Sequence, residues 1–410
     1  MTHPNMKKAP PSLCMAPWVH TYLSPQTERR MCCASREPAQ NFQQYIDTSS
    51  GTGKYIPLTL EEHWNSEHMR SVRRRMIAGE TLPECEVCND KLLNTDVYRS
   101  YFNQLFGHKY LQAMEQTDAS GYTTMKPVSW DYRFSNLCNF SCRSCGPIFS
   151  SNWYNDHVKL YNRKPDVLGR DMARVEYTAG DEDAMIEQMM PHIPYLEQVY
   201  FAGGEPLIMK EHYFLLEKLI EAGKTDVRIQ YNTNFSELRY KDKHVFDYWQ
   251  HFTNVSVGAS LDASGARAEL MRRGTDWSQT VANRQRMIKE VPHVDFYVSA
   301  TVSVMNILHV MDFHREWVEL GFIKPKDFNV NLCQSPEWYR GDILPEDFKH
   351  RVVIPALDRH IEWLDPLDSL RRATMGFQTL RNFVLANDAS GLLPRFRNEV
   401  AVLDAARNEN

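Results

Sequence analysis

Residues 196–234 read LEQVYFAGGEPLIMKEHYFLLEKLIEAGKTDVRIQYNTN, and this stretch predicts the fold class. Apolar runs rich in Val, Tyr and Phe at 196–203 and 226–232 have the length and composition of buried strands. Between them, residues 208–224 carry apolar side chains at spacings of three and four, as an amphipathic helix requires. A strand, a helix and a second strand in this order predict a right-handed crossover within a parallel sheet.

The same alternation extends in both directions along the chain. Four further runs resemble strands, namely 127–134 (PVSWDYRF), 253–262 (TNVSVGASLD), 294–303 (VDFYVSATVS) and 328–333 (FNVNLC). Residues 277–291 predict another amphipathic helix between two of these strands. We therefore expect an α/β fold in which six parallel strands form a partial (β/α)6 TIM-type barrel.

Polar and glycine-rich segments follow the predicted strands. In parallel α/β folds the loops after the strands converge on one face, where the chemistry takes place. The segments that follow the six strands in turn are SNLCNFSCRSC (135–145), AGGEP (202–206), NTN (232–234), SLDASG (260–265), TVSVMN (301–306) and Cys333. The sequence therefore predicts a functional site at this edge.

The overall composition limits the classes of protein to consider. The chain has 410 residues, 42% hydrophobic and 24% charged residues and a net charge of −5, as in a soluble globular protein without an obligatory polyanionic partner. We interpret the basic run RSVRRR (70–75) as a solvated helix face and expect no nucleic-acid partner. The chain shows neither a signal peptide nor an apolar run long enough to span a bilayer, so we expect a cytoplasmic protein without a membrane partner.

The nine cysteines fall into groups. Reducing conditions disfavour structural disulfides and favour metal or redox chemistry for clustered thiols. Cys138, Cys142 and Cys145 form a triplet, Cys333 stands alone, and the other five precede residue 90. A four-iron cluster has four corners, so a triplet leaves one iron open to a substrate or cofactor, as catalytic metal sites do.

Two motifs resemble those of the radical S-adenosylmethionine superfamily. They are CNFSCRSC (138–145), which fits CxxxCxxC, and Gly203-Gly204-Glu205-Pro206, which fits the GGEP segment after the second strand. The resemblance implies a 4Fe-4S cluster whose open iron is chelated by S-adenosylmethionine. It also implies reductive cleavage to a 5'-deoxyadenosyl radical that abstracts hydrogen, and a flavodoxin- or ferredoxin-type electron donor.

The same resemblance implies further contacts to S-adenosylmethionine from the later strand ends. The paired glycines allow the backbone to approach a ligand closely. Arg272 suits the cofactor carboxylate, although a solvated helix position is an equally good interpretation. Many family members carry an aromatic residue where this chain has Ser144. The residues expected to bind the cofactor, besides the GGEP segment, are Asn232, Thr233, Asn234, Ser260, Asp262, Arg272, Thr301, Ser303 and Asn306.

The N-terminal cysteines predict a second site. Residues 14–33 predict two strands around a turn, and a helix with Asn65 or Ser66 at its start and Gly79 at its end precedes the CxxC pair. On spacing alone, four such thiols suit zinc as well as an iron-sulfur cluster. The hairpin and the LPECEVC segment resemble the twitch or SPASM auxiliary-cluster module, here at the N-terminus, which implies a second 4Fe-4S cluster.

The ligands of this second cluster would be Cys14, Cys32, Cys85 and Cys88. Adjacent strand residues point to opposite faces, so only one of Cys32 and Cys33 is expected to serve the cluster. Cys32 is chosen because its spacing from the PQT turn resembles that of the family's hairpin. A cluster with four protein ligands is closed to substrate, so we expect it to transfer electrons or to support the structure.

We expect three parts: an auxiliary module at 1–115, a radical S-adenosylmethionine core at 116–335 and a helical extension at 336–410. The expected function is an oxidoreductase or epimerase that abstracts hydrogen from a small polar metabolite or a short peptide. No N-terminal peptide-binding domain is evident in the sequence, which favours a small substrate or a short peptide. The alternatives are a maturase of ribosomally made peptides, a nucleotide-modifying enzyme and a non-enzymatic iron-sulfur or zinc-binding protein.

Cys333 has two interpretations. A single cysteine is most often a small buried hydrophobic residue. In the radical epimerases that the chain resembles, a thiol returns a hydrogen atom to the substrate radical, which would make Cys333 catalytic.

Overall fold

The computed structural model describes residues 3–25, 29–35, 44–47, 54–57, 59–89, 97–167, 170–178 and 182–409. The chain divides into two compact units. The first unit comprises Met1–Ser135, Glu176–Gly203 and Phe214–Ile229. The second unit comprises Asn136–Val175, Gly204–Tyr213 and Gln230–Asn410.

The main sheet contains eight strands in the order β16-β15-β13-β10-β9-β5-β1-β2. They are β1 (His20–Leu23), β2 (Arg29–Arg30), β5 (Ser129–Tyr132), β9 (Gln198–Phe201), β10 (Arg228–Thr233), β13 (Val255–Ala259), β15 (Asp295–Val302) and β16 (Phe328–Leu332). Two-stranded pairs are formed by β3 (Gln44–Asp47) with β4 (Lys54–Pro57), β6 (Ser141–Cys142) with β14 (Arg272–Arg273), β7 (Asp166–Val167) with β8 (Arg170–Asp171), and β11 (Arg239–Tyr240) with β12 (Lys243–His244).

Helices alternate with these strands. The helices that precede β9 in the chain are α1 (Ala16–Val19), α2 (Leu60–Trp64), α3 (Glu67–Ile77), α4 (Glu86–Asn89), α5 (Val97–Phe106), α6 (Tyr110–Glu115), α7 (Trp153–Tyr161) and α8 (Glu182–Met189). The later ones are α9 (Lys210–Glu221), α10 (Val245–Trp249), α11 (Gly265–Met271), α12 (Trp277–Glu290), α13 (Val310–Glu319), α14 (Glu346–Phe348), α15 (Ile354–Leu364), α16 (Arg372–Ala386) and α17 (Leu393–Arg407).

All six predicted core strands are present, and the α/β fold class is confirmed. They are β5, β9, β10, β13, β15 and β16, and they are consecutive in the sheet. Within the first unit β5 pairs in parallel with β9, and within the second unit β13 pairs in parallel with β15 and β15 with β16. Val257, Val298 and Ala300 on these strands are fully buried, which explains why the strands read as near-continuous apolar runs.

The N-terminal hairpin extends the sheet of the first unit. β1 pairs antiparallel with β2, as predicted, and it also pairs in parallel with β5. Residues 16–19 form helix α1 instead of the predicted strand, and Pro17 lies in its first turn, where its missing N–H costs nothing. The pairing of β1 with β5 explains why the compact unit continues beyond residue 115.

Helix α3 begins and ends as the sequence predicts. The Ser66 side chain accepts a hydrogen bond from the N–H of Met69, and Gly79 follows the helix with φ +80°. The interpretation of the arginine run on this helix as a solvated face is wrong for Arg73, which is 0% exposed. Its guanidinium donates to the carbonyl oxygens of Pro17 at 3.0 Å and Trp64 at 2.7 Å.

The segment after residue 336 is helical, as predicted, and supplies α14 to α17. Among the described residues, no helix has both the length and the apolar character needed to cross a membrane.

Candidate functional site

The cysteine triplet lies on a loop that is fixed by hydrogen bonds of its own unit. The N–H of Cys138 donates to Oγ of Ser151 at 3.2 Å, and Nε1 of Trp153 donates to the carbonyl oxygen of Cys142 at 2.7 Å. The N–H of Cys145 donates to the same carbonyl at 3.0 Å, which closes a tight turn between the last two cysteines. The beginning of α7 therefore holds the loop in place.

The three thiols lie close enough to interact electrostatically. Burial raises the pKa of Cys138, and the neighbouring Cys142 and Cys145 raise it further. Burial likewise raises the pKa of Cys145 to about 12. Within the part of the chain that the structure describes, no group of three or more His, Cys, Asp or Glu side chains has the geometry of a metal-ion site.

Arg272 lies directly against this loop. Strand β14 pairs antiparallel with β6, which sets Arg272 opposite Cys142, and Nη1 of Arg272 is 3.8 Å from Sγ of Cys142. The guanidinium also forms a two-point contact with Asp262, at 2.7 Å from Nε and 2.9 Å from Nη2. Burial opposes its charge, but Asp262 and Cys142 hold the pKa of Arg272 above its usual range. Arg272, whose side chain is 13% exposed, is therefore an ion-paired residue and not a solvated one.

The GGEP segment begins with two glycines in positions that exclude side chains. Gly203 has φ +99°, a conformation that L-residues rarely adopt. A Cβ at Gly204 would lie 2.0 Å from the carbonyl oxygen of Leu137, just before the first cysteine of the loop. Pro206 then starts a single 3₁₀ turn, Pro206–Ile208. Gly204 therefore allows the segment to pack directly on the backbone of the cysteine loop.

Glu205 is fully buried and bonded to the protein through both carboxylate oxygens. Oε1 accepts from Oγ1 of Thr233 at 2.7 Å and from the N–H of Leu207 at 3.1 Å, and Oε2 accepts from the N–H of Asn234 at 2.6 Å. Burial raises the pKa of Glu205 to about 7, while these hydrogen bonds oppose the shift. Glu205 thus joins the GGEP segment to the end of β10.

A second network joins the ends of β13 and β15. The side-chain amide of Asn306 donates to the carbonyl oxygens of Asp262 at 2.8 Å and Thr301 at 3.0 Å, and its Oδ1 accepts from the N–H of Ser303 at 2.7 Å. The N–H of Thr301 donates to Oδ1 of Asp262 at 2.8 Å. These four predicted site residues are therefore brought together, and much of their hydrogen-bonding capacity is used among themselves.

The remaining predicted cofactor contacts lie around the end of β10. The N–H of Ser260 donates to the carbonyl oxygen of Thr233 at 2.7 Å. The side-chain amide of Asn234 donates to Oδ1 of Asn139, inside the cysteine loop, at 2.8 Å. Asn232 is half-buried near the end of the strand. The NTN segment is thus linked to the loop that carries the thiols.

Arg143 is a residue of this site that sequence reasoning missed. It lies between Cys142 and Cys145, its side chain is 2% exposed, and its Nε donates to the carbonyl oxygen of Leu270 at 3.1 Å. Its Nη2 donates to the carboxylates of Asp404 and Glu409, at the end of the C-terminal helix α17. The sequence offered no signal for this contact, because its partners are more than 250 positions away.

Helix α17 makes a second contact with the segment that follows the cysteine loop. Arg407 is 5% exposed, donates to Oδ2 of Asp156 on α7 at 2.9 Å, and lies over the Trp153 ring at 4.6 Å. Trp153 in turn holds the carbonyl of Cys142. The C-terminal helix and the cysteine loop are therefore connected by two arginines.

The N-terminal thiols gather in the first unit. Cys14, Cys32, Cys85 and Cys88 line one cavity, whose described lining residues do not include Cys33. Burial raises the pKa of Cys32, and the thiols of Cys33, Cys14 and Cys88 raise it further, which reflects their closeness. Burial also raises the pKa of Cys85 to about 11. The four thiols that the resemblance implies are thus placed around a common space.

Helix α5 holds the chain around these thiols. Oδ1 of Asn103 accepts from the N–H of Met15 at 2.9 Å, and its Nδ2 donates to the carbonyl oxygen of Leu13 at 2.8 Å, which fixes both neighbours of Cys14. Arg99, on the same helix, lines the cavity and lies close to Cys85, where its positive charge lowers the thiol pKa against the effect of burial.

Cys333 is 3% exposed at the end of β16. Its thiol is 3.7 Å from the carbonyl oxygen of Ser335. Burial raises the pKa of Cys333 to about 11, and the carboxylate of Asp262 lies near enough to raise it further. The thiol is thus buried on the side of the second unit that carries the Asp262 network.

Both cysteine sets supply the kind of ligand that the implied clusters take, although their described side chains are not in the geometry of a metal-ion site. Iron-sulfur clusters are held by cysteine thiolates, and both sets supply grouped thiols in largely buried surroundings. Each set also has an arginine against it, Arg272 beside Cys142 and Arg99 beside Cys85, which suits a negatively charged thiolate cluster.

Comparison with solved structures gives matches of low similarity. Native anSMEcpe with bound AdoMet matches with a TM-score of 0.40 and 17% identity, covering 60% of this chain and 62% of that chain. Streptococcus suis SuiB bound to S-adenosylmethionine matches with a TM-score of 0.40 and 11% identity, covering 78% and 66%. TYW1 with a lysine-pyruvate adduct bound has a TM-score of 0.29 and 14% identity, covering 58% and 71%.

The matched part thus spans less than two thirds of the first two of these structures. No family model and no curated protein matches the chain. Because all three TM-scores are below 0.5, a functional assignment has to rest on the site itself.

Proposed function

We propose that the chain is a radical S-adenosylmethionine enzyme. The observation that carries the proposal is the loop with Cys138, Cys142 and Cys145, whose thiols interact and against which Gly204 and Arg272 pack. Three thiols on one loop suit a four-iron cluster with one iron left open for a cofactor. The GGEP segment and the ends of β10, β13 and β15 are the proposed binding region for S-adenosylmethionine.

When bound, the cluster would supply the electron that cleaves the carbon–sulfur bond of S-adenosylmethionine, releasing methionine and a 5'-deoxyadenosyl radical that takes hydrogen from the substrate. The residues of the chain hold this region in place. Arg272 sets a positive charge beside Cys142, and Asp262 fixes its orientation. Glu205 fixes the turn at Thr233 and Asn234.

For the first unit we propose a second four-iron cluster on Cys14, Cys32, Cys85 and Cys88. The supporting observation is that these four thiols line one cavity. Cys33 is not among the described residues that line it. A twitch- or SPASM-like role for residues 1–115 follows from this proposal. With four protein ligands the cluster would be closed to substrate and suited to electron transfer.

The proposed reaction is dehydrogenation or epimerisation of a small polar metabolite or a short peptide, with a flavodoxin- or ferredoxin-type donor. Peptide maturation and nucleotide modification are the alternative reactions, and binding of iron-sulfur or zinc without catalysis is the alternative role. All of these reactions and roles require the two sets of cysteines, so metal binding by the two sets is tested first.

The test is iron content and S-adenosylmethionine cleavage after anaerobic reconstitution. Seven cysteines in sets of three and four should hold about eight irons per chain. Alanine at Cys138, Cys142 or Cys145 should abolish formation of 5'-deoxyadenosine. Alanine at Cys85 should halve the iron content while some cleavage remains.

Cys33→Ser is the matched control for Cys32→Ser, because the two residues are adjacent and only one lines the cavity. The control should keep the full iron content, whereas Cys32→Ser should lose about half. One four-iron cluster together with one zinc ion would disprove the auxiliary assignment. Cleavage that survives loss of the triplet would disprove the proposed function.

A further inference from the structure

One face of the sheet in the second unit is polar and accessible. Along β15, buried residues such as Phe296 and Val298 alternate with residues that are half-buried or exposed, as in a strand packed on one face only. The interior of a filled barrel is lined by bulky branched side chains, which this face lacks. Its residues, from β10 across to β16, include Gln230, Tyr297, Ser299, Asn329 and Asn331.

The ring of Tyr297 lies across the neighbouring strand. Tyr297 pairs in register with Gly258 on β13, and a Cβ at Gly258 would lie 2.7 Å from the Tyr297 hydroxyl oxygen and 2.8 Å from the ring carbon that bears it. The same hydroxyl accepts a hydrogen bond from Nε2 of Gln230 on β10 at 3.4 Å. Because Gly258 has no side chain, the half-buried ring forms an aromatic floor on this face.

Amide and hydroxyl groups lie beside this floor. Ser299 pairs in register with Asn329, and Nδ2 of Asn331 donates to Oγ of Ser299 at 3.0 Å. Asn329 and Asn331 are both exposed. Among the described residues, Oδ1 of Asn331 and the side-chain amide of Asn329 have no hydrogen-bond partner. These groups are accessible and free to bind a ligand.

The residues named on this face carry no charge. The acidic residue on the same face of β15, Asp295, lies two positions nearer to the amino end than Tyr297 and accepts from Oγ of Ser256 at 3.2 Å. A charged ligand group would lose water here without gaining a counter-charge. Amide and hydroxyl side chains both donate and accept hydrogen bonds, as the hydroxyl groups of a ligand do. An aromatic floor beside such groups suits a ring with an apolar face and a hydroxyl-bearing edge.

The face continues directly into the proposed cofactor region. Thr301, a proposed S-adenosylmethionine contact, follows Ser299 by two residues and pairs in register with Asn331. From Tyr297 to Thr301 the strand rises about 13 Å, and from β13 to β16 the sheet spans about 10 Å, which is room for one ring and its substituents. A ligand on this face therefore lies next to the region where hydrogen would be abstracted.

We infer that this face binds the substrate, and that the substrate is a neutral polyhydroxylated ring, namely a sugar or cyclitol without phosphate, carboxylate or amino groups. The inference rests on the proposed function, because it names the substrate class of the same site. The apolar face of the ring stacks on Tyr297. Its hydroxyl groups pair with Ser299, Asn329 and Asn331.

The inference is tested by ligand-observed nuclear magnetic resonance titrations of the anaerobically reconstituted full chain. S-Adenosylmethionine is present and the reductant is left out, so that no cleavage takes place. The probes are glucose, galactose, mannose, N-acetylglucosamine, sucrose and myo-inositol. At least one probe should bind saturably with a dissociation constant below about 5 mM, as a ligand of roughly a dozen non-hydrogen atoms allows.

Three variants locate the binding. Tyr297→Phe removes one hydroxyl and Asn331→Ala removes one amide, and each should weaken binding of that probe about threefold to tenfold, as the loss of one or two hydrogen bonds predicts. Gly258→Ala should weaken it by about tenfold or more, because the added Cβ displaces the Tyr297 ring. Tyr297→Phe is the most conservative of the three, and thermal unfolding shows that each variant is folded.

Asn382→Ala is the matched control for Asn331→Ala. Asn382 is an exposed asparagine of α16. This helix packs on the opposite face of β16, where a Cβ at Gly376 would lie 3.2 Å from Cβ of Val330. The control should leave probe binding unchanged.

Four results would overturn the inference. They are the absence of saturable binding by every probe up to about 20 mM, tighter binding of glucuronate or glucosamine than of glucose, tighter binding of N-acetyl-glycylglycinamide than of all six probes, and binding that the three variants leave unchanged. The second would show recognition of charge, and the third would show a peptide site. These titrations need no cleavage, so their failure refutes the inference alone. Absence of 5'-deoxyadenosine after reduction, measured without any probe, refutes the proposed function.

Discussion

The contact of Arg143 with helix α17 predicts that the C-terminal helix stabilises the cysteine loop. In Arg143→Met the hydrogen bond to Leu270 and the ion pairs with Asp404 and Glu409 are lost. A hydrogen bond from a charged donor contributes about 1.5–3 kcal/mol. Losing one partner of a fully buried ion pair costs about 3–5 kcal/mol.

The cost of about 3–5 kcal/mol applies to a fully buried ion pair and has to be reduced for Arg143 and its two carboxylates. The side chains of Asp404 and Glu409 are 33% and 20% exposed and can be hydrated again, whereas that of Arg143 is 2% exposed. We therefore expect Arg143→Met to lower the free energy of unfolding by about 2–4 kcal/mol. A double-mutant cycle with Asp404→Asn should give a coupling energy of about 1 kcal/mol.

Two measurements check this expectation. Urea unfolding followed by circular dichroism gives the free energies for the cycle. Release of iron to a chelator from the reconstituted protein should be at least about tenfold faster in Arg143→Met, because a loop stabilised by 2–4 kcal/mol opens more often when that contact is removed. Arg273→Met is the control, since Arg273 is 44% exposed and lies 3.5 Å from the same Glu409. A coupling energy below about 0.3 kcal/mol, with iron release unchanged, would refute the reasoning.

Three further predictions concern buried groups of the chain. Burial lowers the pKa of His314 to about 3 and that of His360 to about 2. The free energy of unfolding should therefore be highest above pH 6.5, the pKa of an unfolded histidine, and should fall by about 2 kcal/mol per histidine by pH 5. Replacing both histidines by Phe should flatten the dependence of this free energy on pH, measured by urea unfolding, and an unchanged dependence would contradict the prediction. Arg73→Met leaves the carbonyl oxygens of Pro17 and Trp64 without this donor, at about 1–3 kcal/mol each, so it should destabilise the chain by about 2–6 kcal/mol in urea unfolding. The adjacent Arg74→Met, 39% exposed, should cost under about 1 kcal/mol, and similar losses would show that burial does not distinguish the two residues. Cys333→Ser should still form 5'-deoxyadenosine but no epimerised product, and product identical to wild type by mass spectrometry would leave oxidation as the preferred reaction.

The sheet could be predicted from the sequence because its signals are local. Each of the six core strands is a short apolar run followed by a polar turn, and buried residues such as Val257 and Ala300 make those runs continuous. Helix α3 could also be predicted from the sequence, since Ser66 and Gly79 mark its two ends. The residues of the strand ends are also brought together, because consecutive parallel strands place their loops on one edge.

What the sequence could not show depends on partners far along the chain. The run at 70–75 contains four arginines that the sequence does not distinguish. Only the packing of α3 buries Arg73 among backbone carbonyl groups. The pairing of β1 with β5 joins residues more than a hundred positions apart, which no local pattern predicts. Arg143 was overlooked for the same reason, because nothing near it in sequence is its partner.

The hydrogen bonds at the strand ends change what the candidate site residues can do for a cofactor. Asp262 is occupied by Arg272 and Thr301, Glu205 by Thr233, Leu207 and Asn234, and Asn306 by three backbone groups. Each of these groups has most of its hydrogen-bonding capacity used within the fold, so a ligand gains few bonds from it. Direct recognition of S-adenosylmethionine would therefore fall to backbone groups near Gly204, where no side chain intervenes, and to positions such as Asn232. The acidic and amide residues that the motif comparison selects would serve the site by holding those groups still.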